Sequence, residues 1–522
     1  MNSIKQSLLA VFLFSIITLS AQHPKKDWYQ RYSLNDTCMG IDLINALNTT
    51  PQPANAKPVI VAVIDGGTDI LHEDLKSNIW VNLREIPGNG VDDDQNGYVD
   101  DINGWDFIGG KNGEVHYDNL ELTRLLRNYK AKFGDKTSKE ISKAEKPEYR
   151  KFKELEAIHK TQLQNDKASF SNISSYKKII DAVVSEMGTS DFSLETLEAY
   201  TPEKNEAKLG KFNIIKACMS SNMTPTEFIK YIMNVYDHLN ASVNFQLDLN
   251  YDPREVVGDD YLNTTIRNYG NNQVKGPDAL HGTHVAGIIG AIRNNEIGIN
   301  GIATMVQIMV VRVVPDGDER DKDVANAIRY AVDNGAKVIN MSFGKKYSFN
   351  KAIVDEAVKY AESKDVLIIH AAGNDGKNID EETNFPTPRY ENGQTCATWI
   401  EVGASGMDQS PTDFSNYGKT TVNVFAPGLE IYSTIADNKY EWEQGTSMAS
   451  PVVAGVAALI RSYYPNLTAI QVKSVIESTV IKPEAKFKKP GSKRKKTKYK
   501  KLCTSQGIVN VNAALKAASL IK

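Results

Sequence analysis

Three well-separated segments of the 522-residue chain carry a carboxylate, an imidazole and a hydroxyl, the groups from which nucleophilic catalysis is built. Asp65 ends the apolar segment VIVAVID and is followed by two glycines, His281 opens HGTHVAG, and Ser447 lies in GTSMASPVVAG. A serine hydroxyl becomes a nucleophile when an imidazole accepts its proton and a carboxylate orients that imidazole. The three residues therefore form a candidate catalytic set in the chain order Asp, His, Ser.

The segment HAAGND, at residues 370–375, supplies a candidate oxyanion-binding group. Asn374 follows an apolar strand and a glycine, a position at which its side-chain amide can project from the edge of a sheet. Ser447 is predicted at the start of a helix, where backbone N–H groups have no acceptor within the helix. The Asn374 amide and the Ser447 N–H could therefore donate to the same developing oxyanion.

Each of these residues also has an alternative interpretation. Asp65 could form a turn after a strand, and Ser447 could cap a helix through its side chain. A metal site at His281 and His284 is disfavoured, because two ligands make a poor site and the HExxH motif is absent. An α/β-hydrolase places its histidine after its serine, whereas all eight histidines of this chain lie at or before His370.

Apolar strands and amphipathic helices alternate around these residues, and the strands are the elements that must position them. We expect strands at 59–64, 306–314, 337–341, 365–371 and 421–425. We expect helices at 321–334, 350–363, 446–463 and 468–479. Continuous apolar strands that alternate with helices predict a parallel α/β sheet covered on both faces. The carboxyl ends of such strands hold the site, and Asp65 lies at one of them.

Changes in composition divide the chain into a signal peptide at 1–21, an N-terminal extension at 22–56, and a catalytic domain at 57–522 that a helical insert interrupts at 114–250. Lys5 followed by a 12-residue apolar run is typical of a signal peptide and is too short to span a bilayer. An uncleaved anchor is the alternative. We therefore expect a secreted or periplasmic protein with no stable membrane span after cleavage.

The composition excludes several protein classes. A chain with 41% hydrophobic and 24% charged residues is globular, and a net charge of −3 gives no field that attracts nucleic acid. Four cysteines without a CxxC pair predict neither a disulfide scaffold nor a zinc site.

Residues 482–501 differ from the rest of the chain in charge, with 11 Lys or Arg and one Glu. That run is either a solvated surface loop or a binding surface for an acidic partner.

The motifs HGTHVAG and GTSMASPVVAG resemble those of the subtilisin-like serine proteases, the subtilases, and AAGN and INMSFG support the resemblance. The resemblance covers residues 57–113 and 251–515. It implies a parallel, doubly wound α/β sheet of the subtilisin type and a secreted serine endopeptidase that forms an acyl-enzyme. The roles that it implies are nucleophile, proton-transfer base, orienting carboxylate and oxyanion donor, for Ser447, His281, Asp65 and Asn374 respectively.

The resemblance also implies how a protein or peptide substrate binds. The substrate adds a strand to an edge segment formed by Ser342, Phe343 and Gly344. It places a side chain against a pocket wall, which is formed by Ala371, Ala372 and Gly373 and by the region around Asn384, Phe385 and Pro386. One position departs from the family, because Gly66 follows Asp65 where Ser or Thr is usual. A catalytically inactive, protease-like binding module is therefore the alternative to an active enzyme.

An acidic loop predicts a structural calcium site, whereas catalysis itself needs no cofactor. Oxygen-bearing side chains occupy positions 1, 3, 5 and 9 of an EF-hand-type loop, with a glycine at position 6; they are Asp92, Asp94, Asn96 and Asp100. Position 12 is Asn103 rather than Glu, so an acidic turn is the alternative. The family resemblance implies a second calcium site, formed by Asp74 and Asn295.

Overall fold

The expected signal peptide lies outside the described part of the chain, because the structure, a computed structural model, describes residues 23–33, 38–221 and 223–521. The chain forms two compact units. The first unit consists of Pro24–Glu121 and Asp252–Lys522, and the second contains Leu122–Tyr251.

A seven-stranded parallel sheet forms the centre of the first unit. Its strands in chain order are β1 (Val59–Asp65), β2 (Gly104–Asp106), β3 (Val306–Arg312), β4 (Val338–Met341), β5 (Leu367–Ala371), β6 (Trp399–Ser405) and β7 (Val424–Pro427). In space they follow the order β7-β6-β5-β4-β1-β3-β2, and neighbouring strands are parallel. The sheet therefore grows outward from β1 in both directions, which confirms the expected doubly wound α/β fold.

Helices cover both faces of the sheet because alternate side chains of each strand point to opposite sides. Val61 and Val63 of β1 belong to one apolar core, and Ala62 and Ile64 belong to the other. The first core includes the His281 helix (Leu280–Gly290) and the Ser447 helix (Thr446–Tyr463), and the second includes the helices Asp321–Asp333 and Lys351–Ser363. Shorter helices of this unit are Leu43–Thr49, Arg254–Val257, Ala469–Ser478 and Val511–Ala518.

Short antiparallel strand pairs complete the first unit: Tyr32–Ser33 with Cys38–Met39, Gly109–Gly110 with Gly113–Glu114, Ile431–Ile435 with Lys439–Glu443, and Phe487–Lys488 with Lys496–Thr497.

Strand β6 was not expected from the sequence, because Glu401 interrupts its apolar pattern. The Glu401 carboxylate is nevertheless buried, because it accepts hydrogen bonds from His370 Nδ1 at 2.9 Å and Trp399 Nε1 at 2.8 Å.

The second unit is helical and has an apolar core of its own, which includes Ile180, Val183, Leu197 and Ile214. Its helices are Lys146–Met187, Leu194–Ala199, Asn205–Ser221 and Pro225–Ala241, followed by the π-helical turn Ser242–Gln246; the helix Glu121–Phe133 begins at the boundary between the units. Within the described residues, no helix combines the length and the apolar character that crossing a membrane requires.

Arg312, at the carboxyl end of β3, joins several strand ends through one buried side chain. Its guanidinium donates to the Gly66 carbonyl at 2.9 Å, to the Asp106 carboxylate at 2.7 Å and to Glu114 at 3.1 Å. Burial raises the pKa of Asp106, and the Arg312 cation opposes that shift. Because Gly66 directly follows Asp65, the hydrogen bond from Arg312 to the Gly66 carbonyl also restrains the turn that carries the candidate catalytic carboxylate.

We expect Arg312→Met to lower the free energy of unfolding by about 3–5 kcal/mol, because it leaves the Asp106 carboxylate buried without its cation. The double variant Arg312→Met and Asp106→Leu should recover much of that loss, since it removes both charges. Equilibrium denaturation with urea measures both. Lys377→Met is the control, because Lys377 lies 3.0 Å from Glu382 and both side chains are exposed, and it should cost less than about 1 kcal/mol. A loss in Arg312→Met no larger than the control would contradict this role.

Candidate active site

The side chains of Asp65 and His281 form a direct hydrogen bond. His281 Nδ1 donates to Asp65 Oδ1 at 2.7 Å, and the Gly66 backbone N–H donates to the same oxygen at 2.8 Å. The Asp65 side chain is 4% exposed, whereas that of His281 is 43% exposed. Because Nδ1 is held by the carboxylate, Nε2 is the ring nitrogen available to a second group.

Two glycines allow other backbone segments to lie close to the turn after Asp65. A Cβ atom on Gly282 would overlap the carbonyl oxygen of Gly67, so the helix contacts the turn only because residue 282 has no side chain. Gly67 has a φ of 125° and lies against the carbonyl of Lys275, where any side chain would also overlap. Glycine at position 282 therefore lets the His281 helix lie close to the turn that carries Asp65.

Electrostatics at this pair favours the charged imidazole. Burial disfavours the imidazolium, but the neighbouring Asp65 carboxylate outweighs that effect and raises the pKa of His281 above its ordinary value. Glu443 and Asp278 act in the same direction from farther away. The carboxylate therefore both orients the ring and stabilises its protonated form.

Ser447 lies in the first turn of its helix, as the sequence predicts. Its hydroxyl forms a hydrogen bond with Ser342 rather than with His281. Ser447 Oγ donates to the Ser342 carbonyl at 3.0 Å, and Ser342 Oγ donates back to the Ser447 carbonyl at 3.0 Å. The structure thus joins two of the three predicted catalytic side chains directly. The Ser447 hydroxyl must give up its hydrogen bond to the Ser342 carbonyl before it can donate to another acceptor.

The amide of Asn374 is oriented by Thr446. Asn374 Oδ1 accepts hydrogen bonds from the Thr446 N–H at 2.9 Å and the Thr446 hydroxyl at 3.0 Å, which leaves the Nδ2 donors for another acceptor. A Cβ atom on Gly445 would lie 3.3 Å from Asn374 Nδ2 and 3.5 Å from the Ser447 backbone nitrogen. Both donors therefore border the same space, and glycine at position 445 keeps that space open.

The two predicted substrate segments lie side by side because β4 and β5 pair in register, with Met341 opposite His370. Ser342–Gly344 follows β4, and Ala371–Gly373 spans the end of β5. Among the six residues, Ser342, Ala371 and Ala372 are buried, whereas Gly344 is exposed. The Asn384 side chain lies between the segments, because a Cβ on Gly344 would be 2.7 Å, and one on Gly373 3.5 Å, from Asn384 Nδ2.

Sequence reasoning missed Asn416, a buried residue that holds the loop carrying Asn374. Its Oδ1 accepts hydrogen bonds from the backbone N–H of Asp375 at 3.1 Å and of Lys377 at 2.9 Å. Its Nδ2 donates to the Ala372 carbonyl at 2.9 Å. Asn416 lies in an unremarkable loop sequence, FSNYG, so no local signal could have identified it.

The acidic loop brings together only part of the predicted calcium set. Oxygen atoms of Glu85, Asp92 and Asp94 lie within 4.8 Å of one another, and Glu85 was not anticipated from the sequence. The Asp100 carboxylate instead accepts the N–H groups of Gly88 and Gly90, at 2.8 and 2.9 Å. The predicted ligand Asn96 donates its Nδ2 to Asp101 at 3.1 Å, and its Oδ1 accepts the Tyr98 N–H at 2.8 Å.

The second predicted calcium pair contains a hydrogen bond between its own members. Asn295 Nδ2 donates to Asp74 Oδ1 at 2.7 Å, and the Ile299 N–H donates to Asp74 Oδ2 at 3.1 Å. Burial raises the pKa of Asp74. Within the described part of the chain, the cluster at Glu85 is the one group of three acidic, histidine or cysteine side chains arranged closely enough to share a metal ion.

Comparison with known proteins identifies the family. The model of the subtilase family matches residues 56–508. The chain belongs to the subtilase family. It is 44% identical over 203 residues to a thermophilic serine proteinase of Bacillus sp. strain AK1, an alignment that covers 39% of this chain and 47% of that protein. It is 40% identical over 203 residues to thermitase of Thermoactinomyces vulgaris, which covers 39% of this chain and 67% of thermitase.

This subtilase thus aligns with about half to two thirds of the length of these relatives. Among solved structures, a protease from Pseudoalteromonas arctica PAMC 21717 is similar, with 21% identity and a TM-score of 0.47 over 95% of this chain and 98% of that one.

We expect Asp65→Asn to lower the pKa of His281, because an amide stabilises the imidazolium less than a carboxylate does. In the native chain this pKa lies above about 6.5, so the pair's contribution to the free energy of unfolding is fully present below about pH 6.5. That contribution is lost as the pH rises through the higher pKa of the folded state. NMR titration of the histidine side chains measures the shift, and Asp278→Asn, which removes a more distant charge, should change it less. An unchanged pKa of His281 in Asp65→Asn would contradict the conclusion that the Asp65 carboxylate raises it.

Proposed function

We propose that this chain is a serine endopeptidase that hydrolyses peptide bonds of protein or peptide substrates through Asp65, His281 and Ser447. The observation that carries the proposal is the 2.7 Å hydrogen bond from His281 Nδ1 to the buried Asp65 carboxylate. That bond keeps the proton of a neutral imidazole on Nδ1, so Nε2 has a free lone pair and can accept the proton of a serine hydroxyl.

The catalytic cycle starts when Ser447 exchanges its hydrogen bond to Ser342 for one to His281 Nε2. The oxygen attacks the peptide carbonyl as Nε2 takes its proton, and Asp65 stabilises the imidazolium that forms. The Asn374 Nδ2 and Ser447 N–H groups donate to the oxyanion of the tetrahedral intermediate. His281 then gives the proton to the departing amine, which leaves an acyl-enzyme, and water repeats the sequence to release the acid and restore Ser447.

A binding module without catalysis is the second candidate, and the hydrogen bond of the Ser447 hydroxyl to Ser342 is the observation that favours it. In that case the hydroxyl stays with Ser342, and Gly66 leaves the carboxylate without a neighbouring hydroxyl. The two candidates differ in whether Ser447 reacts with an electrophile, so reactivity of this one side chain separates them.

We expect a fluorophosphonate probe to label Ser447, because the probe reacts with serines that a neighbouring base has activated. His281→Ala should slow labelling by about 10²–10⁴-fold. The rate should fall as the pH drops below the raised pKa of His281, since the protonated ring cannot accept the serine proton. Mass spectrometry of the labelled peptide measures site and rate. Ser447→Ala should abolish labelling, and Ser363→Ala, at an exposed serine, should leave it unchanged. Absence of labelling in the native chain would favour the binding module.

We also propose that the acidic loop binds a structural Ca²⁺ ion. Carboxylates of Glu85, Asp92 and Asp94 within 4.8 Å of one another repel, and only Asp94 has a nearby cation, the Arg84 guanidinium at 2.9 Å, among the described residues. Hard oxygen donors at this separation suit calcium, and binding would offset the repulsion between the carboxylates. The ion would stabilise the loop without contributing to catalysis.

We expect chelation of calcium with EGTA to lower the melting temperature, because a ligand held at about 100 times its dissociation constant adds about 2.7 kcal/mol to the folded state. Differential scanning calorimetry with and without EGTA measures the effect. The double variant Asp92→Asn and Asp94→Asn should melt at the same temperature in both conditions. Asp74→Asn should keep the EGTA effect if the acidic loop is the site. An effect that persists in the double variant would place the ion elsewhere.

Export completes the proposal and depends on the signal-peptide character of residues 1–21. A protease delivered to the periplasm or beyond would meet proteins and peptides there as substrates.

A further inference from the structure

Residues 482–501, called here the basic hairpin, form an anchored structure. Phe487–Lys488 pairs antiparallel with Lys496–Thr497. Tyr499, which is 1% exposed, packs edge-to-face on Phe425 and Phe487 with ring centroids 5.2 and 5.8 Å apart. Aromatic contacts of this kind fix the base of the hairpin on the core. The positive charges of this segment therefore have a defined place on the molecule.

The charge of the basic hairpin is largely uncompensated. It contains 11 Lys or Arg and one Glu, and nine of these cations are exposed. Lys488 lies 2.9 Å from Asp413, and among the described residues no other cation of the hairpin has a carboxylate within ion-pair distance. Charges that lack partners in the folded chain are available to an external anion.

The hairpin contacts the loop that carries the oxyanion donor Asn374. A Cβ atom on Gly491, at the tip, would overlap the carbonyl of Gly376, so the two backbones touch. Gly491 N–H also donates to the Asp413 carbonyl at 2.8 Å, and Gly376 N–H donates to the Phe414 carbonyl at 2.6 Å. One short segment, 413–416, therefore binds both the hairpin and the oxyanion loop.

The distance between the hairpin and the site is short enough for its charge to act there. Two peptide units of about 3.8 Å separate Gly376 from Asn374, so the backbone of Gly491 lies within about 12 Å of the Asn374 Cα atom. At an ionic strength of about 0.01 M the screening length is about 30 Å, which exceeds this separation, whereas at physiological salt it shortens to about 8 Å. The effect of the hairpin on the site is therefore expected at low salt. A peptide bound at the site would therefore lie in the positive field of the hairpin.

We propose that the basic hairpin selects substrates whose residues near the scissile bond are acidic. The inference rests on the proposed peptidase function and adds a substrate class to it. The contact between Gly491 and Gly376 favours a peptide over an anionic polysaccharide or membrane, because it places the charges beside the group that binds the reacting carbonyl. Attraction of this kind raises the association rate and hence kcat/KM.

The test compares two internally quenched peptides that share a cleaved sequence and carry either Asp or Asn at the positions flanking the scissile bond. We expect the native chain to cleave the Asp peptide with a kcat/KM about tenfold higher at low salt. The ratio should fall toward one in 1 M salt, where the screening length is about 3 Å. It should also fall toward one when Lys493, Arg494, Lys495 and Lys496 are all replaced by Gln. The rate on the Asn peptide should change little in that variant.

A matched control removes four other exposed cations, through Lys57→Gln, Lys76→Gln, Lys337→Gln and Lys516→Gln. Lys57 and Lys337 lie just before the starts of β1 and β4, at the edge of the sheet opposite the site. The control should keep the preference for the Asp peptide. An equal loss of preference in the control would overturn the proposal, because net charge rather than the hairpin would then be responsible.

Three further results would overturn the proposal. The native chain could cleave both peptides equally, or the hairpin variant could keep the tenfold preference. The variant could also lose binding to heparin or to vesicles with anionic lipid while its peptide preference is unchanged, which would assign the hairpin to a polyanion. Failure of the peptidase proposal itself is distinguishable, because then neither peptide is cleaved and a fluorophosphonate does not label Ser447; the hairpin proposal would fall with it.

Discussion

The hydrogen bond between Asp65 and His281 depends on the position of one strand end at the centre of the sheet. Strand β1 lies between β3 and β4, and Asp65 pairs in register with Arg312. The Asp65 carbonyl accepts the Val313 N–H at 2.9 Å, so its backbone is bonded on the side where Arg312 holds the Gly66 carbonyl. A carboxylate fixed by the sheet in this way gives the imidazole a stationary partner. The other proposed catalytic groups must then be brought to this pair.

Those groups come from a different part of the sheet. Thr446 orients the amide of Asn374, and Asn416 holds the loop on which Asn374 lies. Ser447 is held in place by reciprocal hydrogen bonds with Ser342, so the strand segment expected to bind substrate also keeps the hydroxyl occupied. In the proposed mechanism, Ser447 exchanges this hydrogen bond for one to His281 before it reacts. Activation of the proposed nucleophile would therefore depend on its release from Ser342.

The parts of the site that sequence could predict are those encoded by short, contiguous motifs. HGTHVAG specifies a closely packed helix start, and the apolar run before Asp65 specifies a buried strand, so the placement of these residues follows from local patterns. Asn416 and Glu85 act through contacts with residues distant from them in the chain, and no local pattern marks them. Strand β6 could not be predicted, because a glutamate in an apolar run argues against a buried strand. Burial of Glu401 depends on hydrogen bonds from His370 and Trp399 that only the folded chain supplies. Asn384 differs from these residues, because the family resemblance already implies the region around it as part of the pocket wall, and its side chain lies between the two predicted substrate segments.

The most direct measurement is a crystal structure of the chain with a peptide boronate, which forms a tetrahedral adduct with an activated serine. We expect a covalent bond from Ser447 Oγ to boron, with His281 Nε2 within hydrogen-bonding distance of the adduct. We also expect one boronate oxygen between Asn374 Nδ2 and the Ser447 N–H, with the hydrogen bond from His281 Nδ1 to Asp65 retained. An adduct on another residue, or one formed at Ser447 with its oxygen directed away from Asn374, would contradict the proposed mechanism.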